Sequence, residues 1–371
     1  LQLGSWCSTL ISRCSSLIIK TTGPLIRLVG ELRNTGAGTA HLIASNNTVR
    51  IAILATLGIL LDKTGVALKA FVPQLQTTFI KALSDTSSKH VRASSITALG
   101  KLLPMITRVD QIVTEVLNNI LALGAADAGS SNDILISMGV KSTLLEALAL
   151  VCTNSACCDK ITMPVRLKVI DTCQQSLLNS DVYRSLEVNS TVINLNLLIG
   201  DFMGKAIGGV CRVIEPPAIM SLLDSLGTVS TSDHFSVIVK RTLGMAYALQ
   251  GLQVNSLMGD AGSEPMLQVD GFKQQTLFPF LKECLSQDSG AGDELLLSEG
   301  VKTCSFKALS VLCQPIPAAP TKEIKRTVRA VLKAFSEELA ASCAGAFSAE
   351  CKIISIETIK LVSCAAPFSM I

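Results

Sequence analysis

One stretch of the sequence recurs after 42 residues, and this recurrence limits the fold more than any other feature. Val49 to Gly58 reads Val-Arg-Ile-Ala-Ile-Leu-Ala-Thr-Leu-Gly, and Val91 to Gly100 reads Val-Arg-Ala-Ser-Ser-Ile-Thr-Ala-Leu-Gly. Both stretches open on Val-Arg and close on Leu-Gly. A period of roughly 40–47 residues is typical of HEAT and armadillo repeats, whose unit is a hairpin of helices. The sequence therefore predicts an all-α fold, an α-solenoid.

The apolar positions in the first stretch recur at helical spacing. They form one stripe: Val49, Ile53, Leu54, Leu57, Leu60 and Leu61. Glycine inside a helix costs about 1 kcal/mol relative to alanine, so Gly58 and Gly100 need a reason. We expect them to let a neighbouring helix come close.

The segment between the two stretches completes one repeat. Leu68 to Leu83 predicts a first helix with Pro73 at its start, a polar turn follows from Ser84, and the second helix begins near Lys89. Further helix pairs are predicted at 110–123 with 132–152, 161–178 with 181–203, 215–227 with 234–250, 272–286 with 293–313, and 321–341 with 347–364. The chain is thus expected to be a single solenoid of about seven HEAT-type hairpins over residues 1–371, with a loop or possible insertion at 259–265. Since it begins at Leu1 rather than Met, we expect a piece of a longer protein.

Composition argues against a membrane protein. Hydrophobic residues make up 49% of the chain, but no uncharged apolar run reaches the roughly 20 residues needed to cross a bilayer. We interpret the apolar excess as a core that runs along the solenoid. No secretory signal is recognisable, so the 13 cysteines are expected to be reduced core residues of a cytoplasmic protein.

No constellation of residues predicts catalysis. The three histidines, His41, His90 and His234, have no metal-binding spacing, and Asp233 beside His234 lacks a nucleophile elbow. The glycines of 203–209 are in the wrong order for a phosphate loop. We therefore expect a protein that is not an enzyme and needs no metal, no other cofactor and no small-molecule substrate.

Basic residues are concentrated near the start of the chain. Between residues 21 and 110 they are Arg27, Arg33, Arg50, Lys63, Lys69, Lys81, Lys89, Arg92, Lys101 and Arg108, against four acidic residues, Glu31, Asp62, Asp85 and Asp110. The overall net charge of +3 hides this local excess. Two interpretations stay open: a solvated face, or a surface for an acidic partner, which is either a protein domain or ribosomal RNA.

Two of these arginines have a structural alternative. HEAT repeats commonly carry an Asp in the turn and an Arg early in the second helix, and Asp85 and Arg92 are placed to form such a ladder. Arg50 has no matching Asp before it, which leaves it available for another contact. A second basic run, from Lys322 to Lys333, is flanked by glutamates and favours a salt-bridged exposed face over a binding element.

Several motifs resemble one known family. The matching segments are Thr22-Gly-Pro-Leu-Ile-Arg-Leu-Val-Gly30, Val49-Arg50, Leu57 to Leu61, Lys63-Thr-Gly65, Leu68-Lys69 and Phe71 to Asp85, of which Pro73-Gln-Leu-Gln-Thr-Thr-Phe79 with Lys81-Ala-Leu83 is the most diagnostic. They resemble the large ribosome-associated translational activators called general control nonderepressible one, in their C-terminal HEAT-repeat part. The resemblance is close over residues 21–103.

This resemblance implies a function. Members of the family sit on stalled or collided ribosomes in the cytoplasm and bind the RWD domain of the general-control kinase, which phosphorylates initiation factor two alpha. Amino-acid starvation or stalling thereby activates the kinase. The kinase-binding part includes a needed arginine, so Arg27 is the first candidate, followed by Arg50 and Arg92, with Lys63 and Lys69 on the same basic surface. The alternative is a HEAT scaffold in transport, cytoskeletal or RNA-associated assembly.

Overall fold

The structure, a computed structural model, describes residues 47–124, 130–178, 186–258, 264–286, 292–314, 321–344 and 349–365. These residues are helical with short connecting turns, and no strand occurs among them. The all-α solenoid prediction is thereby confirmed.

The chain divides into two compact units, Leu1–Val165 and Arg166–Ile371. The helices of the first unit are α1 (Asn47–Thr64), α2 (Val72–Leu83), α3 (Lys89–Leu102), α4 (Val109–Gly124), α5 (Ser131–Thr153) and the short α6 (Ser155–Cys158), and short 3₁₀ segments follow α1 and α3. One continuous solenoid over the whole chain stays a prediction.

The second unit continues the alternation of helices. Its helices are α7 (Met163–Leu178), which begins just before the boundary, α8 (Ser190–Cys211), α9 (Pro216–Leu226), α10 (Phe235–Met258), α11 (Glu264–Phe272), α12 (Phe278–Ser286), α13 (Asp293–Cys313), α14 (Thr321–Ala344) and α15 (Ala349–Ala365). A π-helical turn, Lys273–Leu277, joins α11 to α12. The predicted loop at 259–265 lies outside the described residues up to 263, and α11 starts at Glu264.

Turn chemistry fixes where the helices begin. Ser88 is the N-cap of α3 and accepts a hydrogen bond from the Val91 backbone amide, so the helix starts at Lys89 as predicted. Ser130 and Asp133 form a capping box at the start of α5, which satisfies two of the amides that a helix leaves unpaired at its first turn. Pro73 occupies the first turn of α2, where its missing N–H costs nothing.

In the first unit, the second helices of successive repeats lie side by side and parallel. Near their first turns, Arg50 on α1 donates to the Ser87 hydroxyl just before α3. Near their last turns, Lys101 on α3 pairs with Asp62 on α1 at 2.6 Å. Contacts at both ends in the same order require two parallel helices, which is how a solenoid stacks its repeats.

The second unit stacks its helices more closely, through glycine. Gly200, Gly204 and Gly208 are four residues apart on α8 and face α10. A Cβ at Gly204 would lie 2.5 Å from Cδ2 of Tyr247 and 2.9 Å from the Leu243 carbonyl oxygen. At Gly208 it would lie 2.7 Å from the Tyr247 carbonyl oxygen. Gly204 and Gly208 therefore serve helix packing, because only glycine allows backbones to approach this closely.

The glycines singled out in the repeat behave differently. A Cβ at Gly58 would lie 3.5 Å from Cδ of Lys101, and one at Gly100 would lie 3.4 Å from Cδ2 of Leu150. Both are ordinary contacts with the ends of side chains, and no backbone lies close. The expectation that Gly58 and Gly100 permit close helix approach is therefore wrong.

One described helix, α5, is long and apolar enough to cross a bilayer by length and composition alone. Its most apolar window is 67% buried inside the protein. A core helix of a soluble protein passes the same test, so this helix is weak support for a membrane span. In the first unit, α5 packs against α3 and α4.

Substituting Gly204 by alanine tests the glycine contact. The added methyl group meets the Leu243 backbone and the Tyr247 ring, so we expect Gly204→Ala to lower the free energy of unfolding by roughly 1–3 kcal/mol or more. The matched control is Gly58→Ala, which meets only a flexible lysine stem and should gain up to about 1 kcal/mol of helix propensity. Urea unfolding followed by circular dichroism measures both. Equal effects of the two substitutions would contradict the packing argument.

Candidate functional site

Three cations lie near the C-terminal ends of α1 and α3, two of them exposed and one half-buried. Lys63 is in the last turn of α1, Lys69 lies in the 3₁₀ segment that follows, and both are exposed. Lys101 in the last turn of α3 joins them through its ion pair with Asp62. Lysine here also complements the negative end of each helix dipole. We call Lys63, Lys69 and Lys101 the basic edge.

At the opposite ends of these helices, the turn before α3 is organised by Asp85. Its Oδ1 accepts hydrogen bonds from the backbone amides of Ser87 and Ser88, both at 2.9 Å, and from the Ser87 hydroxyl at 2.7 Å. Its Oδ2 pairs with the Arg50 guanidinium of the preceding repeat. One carboxylate thus closes its own turn and holds α1 against it.

The pKa of Asp85 shows that this environment favours the charged form. Burial by itself would raise the pKa, but hydrogen bonds from Arg50 and Ser87 outweigh it and hold the pKa of Asp85 below its ordinary value. A carboxyl group with a lowered pKa stabilises the fold above its unfolded-state pKa, and this contribution is lost as the pH falls through its folded-state pKa.

Arg92 continues the connection to the third repeat. Its Nη1 donates to the Asp85 backbone carbonyl at 2.7 Å, and its Nε donates to the Thr143 hydroxyl on α5 at 3.1 Å. Only 8% of Arg92 is exposed. The structural role expected for Arg92 is confirmed, although it contacts the carbonyl of Asp85 while the carboxylate binds Arg50.

The expectation for Arg50 needs correction. The sequence placed no acidic residue in the turn before it, which suggested that Arg50 was available for another contact. Its partner instead comes from the turn of the next repeat, where Asp85 binds it. The Arg50 guanidinium also donates to Asn47 at 3.3 Å. Arg50 and Arg92 therefore both belong to the turn network, away from the basic edge.

Sequence reasoning missed three buried lysines that occupy related positions. Each directly follows a valine within the second helix of a repeat, as Arg50 and Arg92 do; they are Lys141 on α5, Lys240 on α10 and Lys302 on α13. Lys240 has no exposed surface at all. The Val-Lys or Val-Arg pair that recurs in the second helices was the sequence signal for these residues. It marks a cation that is buried between stacked helices.

A buried carboxylate was also missed in the second unit. Asp201 on α8 accepts a hydrogen bond from the Tyr247 hydroxyl at 2.7 Å and pairs with Lys205 at 2.8 Å and Lys307 at 3.0 Å. Burial opposes ionisation, but Lys307 and Lys205 outweigh it and lower the pKa of Asp201. Asp201 thus joins α8, α10 and α13. In the sequence, the i, i+4 spacing of Asp201 and Lys205 was a local signal of this site.

His234, Asp233 and the cysteines have structural roles. His234 Nδ1 lies 2.9 Å from the Ser236 hydroxyl, but Ser236 is 0% exposed and cannot reach a substrate. The Asp233 carboxylate accepts a hydrogen bond from the Ser230 backbone amide at 2.9 Å. Burial raises the pKa of Cys211 and of Cys284 to about 12, so these thiols are poor nucleophiles. Within the ranges given above, no group of three or more potential metal ligands occurs.

Arg27, the first candidate for the partner contact, lies outside the described residues. Of the five predicted site residues, the structure thus places Lys63 and Lys69 on the exposed basic edge and Arg50 and Arg92 in the turn network.

Comparison with known proteins gives a consistent result. The chain is 37% identical over 153 residues to the mouse stalled ribosome sensor GCN1, a stretch that covers 41% of this chain and 5% of the relative. It is 32% identical over 160 residues to the eIF-2-alpha kinase activator GCN1 of Saccharomyces cerevisiae, covering 43% and 5%. It is 26% identical over 324 residues to the Arabidopsis thaliana protein ILITYHIA, covering 86% and 10%. No family model matches the chain.

These matches confirm the resemblance to the general control nonderepressible one proteins. The chain spans between 5% and 10% of the length of these relatives. What the complete relatives do is therefore a basis for proposals about this chain.

The Asp85 network makes a pH-dependent prediction. Asp85→Asn removes the charge that binds Arg50, and we expect the free energy of unfolding to fall by about 2 kcal/mol at neutral pH. The difference from the wild type should shrink as the pH is lowered below about 4, because the wild-type carboxylate then becomes protonated as well.

Urea unfolding at a series of pH values checks this expectation. The control is Asp62→Asn, which breaks a half-exposed pair and should cost no more than about 1 kcal/mol. A pH-independent loss for Asp85→Asn would show that its charge is not what holds the turn.

Proposed function

We propose that this chain is a non-enzymatic scaffold that binds the RWD domain of the general-control kinase and couples stalled ribosomes or amino-acid starvation to activation of that kinase. The observation that carries the proposal is the similarity to proteins named as a stalled ribosome sensor and as an eIF-2-alpha kinase activator. Under this proposal the protein works in the cytoplasm, associated with ribosomes.

The basic edge supports a protein contact in the first unit. Lys63, Lys69 and Lys101 lie at one end of the helix pair α1 and α3, with Asp62 as the acidic residue that pairs among them. A cluster of exposed cations steers an acidic partner and contributes at the rim of an interface, where it chiefly raises the association rate. We propose that the basic edge contacts acidic residues on the surface of the RWD domain.

Arg27 is proposed as a further contact on the basis of the family resemblance. It lies within the Gly-Pro-Leu-Ile-Arg motif that this chain shares with the family. Arginine suits the centre of a protein interface better than lysine does, because its planar guanidinium makes several directed hydrogen bonds.

Arg50 and Arg92 are proposed to support the contact indirectly. Their guanidinium groups are engaged with Asp85, Ser87 and Thr143, which fixes α1, α3 and α5 relative to one another. Replacing either arginine should first lower the stability of the first unit. A loss of partner binding in such variants would follow from that instability.

The proposal is tested by titrating the 371-residue chain with the RWD domain of the same organism's kinase. We expect saturable binding that Lys63→Gln/Lys69→Gln weakens by about tenfold, mainly through a slower association rate. The matched control is Lys352→Gln/Lys360→Gln, which removes two exposed positive charges from α15 in the second unit. Biolayer interferometry with both variants gives the rates.

Arg27→Ala belongs in the same series. Loss of binding in this variant, with an unchanged circular dichroism spectrum, would support Arg27 as a contact. If a folded wild-type chain shows no binding, the kinase contact is ruled out and a HEAT scaffold with a different partner becomes the better explanation. Equal weakening by the two lysine pairs would mean that net charge, and not the basic edge, sets the affinity.

A further inference from the structure

The outer face of α14 in the second unit carries a row of cations. Arg326, Arg329 and Lys333 are exposed, with Lys325 half-buried beside them, and we call these four residues the basic stripe. The opposite face is core, since Val328, Val331 and Phe335 are fully buried. The spacing of three, four and seven residues places Arg326, Arg329 and Lys333 on one side of the helix.

The stripe is held in place at its first arginine. Arg326 Nη2 pairs with Asp270 of α11 at 2.8 Å, while 58% of the arginine side chain stays exposed. A guanidinium group has five N–H donors, so one ion pair leaves Arg326 able to bind a second anion. The pair thus orients Arg326 at the surface and leaves more than half of its side chain exposed.

A bend in α14 separates the stripe from the acidic residues that follow it. Phe335 departs from helical geometry, with φ −128° and ψ 17°. Its ring packs edge-to-face against Phe278 of α12, with 5.3 Å between the ring centroids. All four cations precede the bend, whereas Glu337 and Glu338 follow it. The helical segment before the bend therefore presents a surface of one charge sign between 325 and 333.

We propose that the basic stripe binds the phosphate backbone of structured RNA. Protein interfaces typically centre on a few well-packed anchor residues, with Trp, Tyr and Arg enriched among them. Among the described exposed residues of α14 there is no large hydrophobic side chain. Phosphates need only cations, and positively charged side chains supply most of the affinity for a nucleic-acid backbone.

The dimensions fit this partner. From Arg326 to Lys333 the helix rises about 10 Å, so three exposed cations face a short run of consecutive phosphates on one strand. Such contacts fix position without reading sequence. The stripe adds an RNA contact in the second unit to the protein contact proposed for the first, and neither depends on the other.

The experiment measures binding of a fluorescein-labelled RNA hairpin to the 371-residue chain by fluorescence anisotropy over a range of salt concentrations. We expect Arg329→Gln/Lys333→Gln to bind about tenfold more weakly and to lower the slope of log K against log salt by about 2, since each lost phosphate contact removes about 1. The matched control is Lys352→Gln/Lys360→Gln, which removes the same charge from exposed positions on α15 of the same unit and should bind the RNA as the wild type does.

Circular dichroism of each variant establishes that it is folded. The proposal is overturned if the wild type does not bind the hairpin at low salt, if the stripe variant binds as tightly as the wild type, or if the control loses as much affinity. Equal competition by polyglutamate at matched charge would also overturn it in favour of an acidic polypeptide. Titration of the RWD domain with the stripe variant keeps the outcome separate from the kinase contact, because that binding should be unchanged.

Discussion

The parallel stacking of the second helices is the constraint on which the rest of this structure depends. A helix hairpin cannot bury its apolar stripe alone, so each repeat relies on its neighbours. A helix inside the stack is therefore enclosed on both sides, and α10 is buried through most of its length. Such enclosure leaves little room for polar groups, and every charge inside the stack must have a counterpart.

The two units meet this requirement in different ways. In the first unit, the Asp85 carboxylate and the Arg50 and Arg92 side chains lie at the edge of the stack, where turns supply further hydrogen bonds. In the second unit, glycines bring α8 and α10 into backbone contact, and Asp201 lies within the stack, paired with Lys205 and Lys307. Removing one partner of such a buried group is costly because the remaining charge stays unpaired.

Local sequence signals predicted most of the helices, because caps and turns act over a few residues. The start of α3 at Lys89 follows from the polar residues just before it. Most of the predicted pairs match observed helices, but the helix predicted at 181–203 is α8, Ser190–Cys211, and α11 begins at Glu264 within the predicted loop. Long-range partners were not predictable in the same way. Arg50 finds its carboxylate in the turn of the following repeat, and Asp201 binds Lys307 on α13, so neither pair leaves a pattern at a fixed local spacing. Of the site residues, the exposure of Lys63 and Lys69 could be expected from their places beyond the apolar stripe.

The stacking of the helices determines which surfaces stay accessible to partners. The flanks of the second helices are occupied by neighbouring repeats, so exposed charge is left mainly at helix ends and on outer faces. The basic edge belongs to the first kind and the basic stripe to the second. Because the cations inside the stack, such as Arg92 and Lys240, are engaged there, the basic excess in the sequence overstates the charge a partner meets. Exposure, more than the number of basic residues, therefore decides which cations can bind.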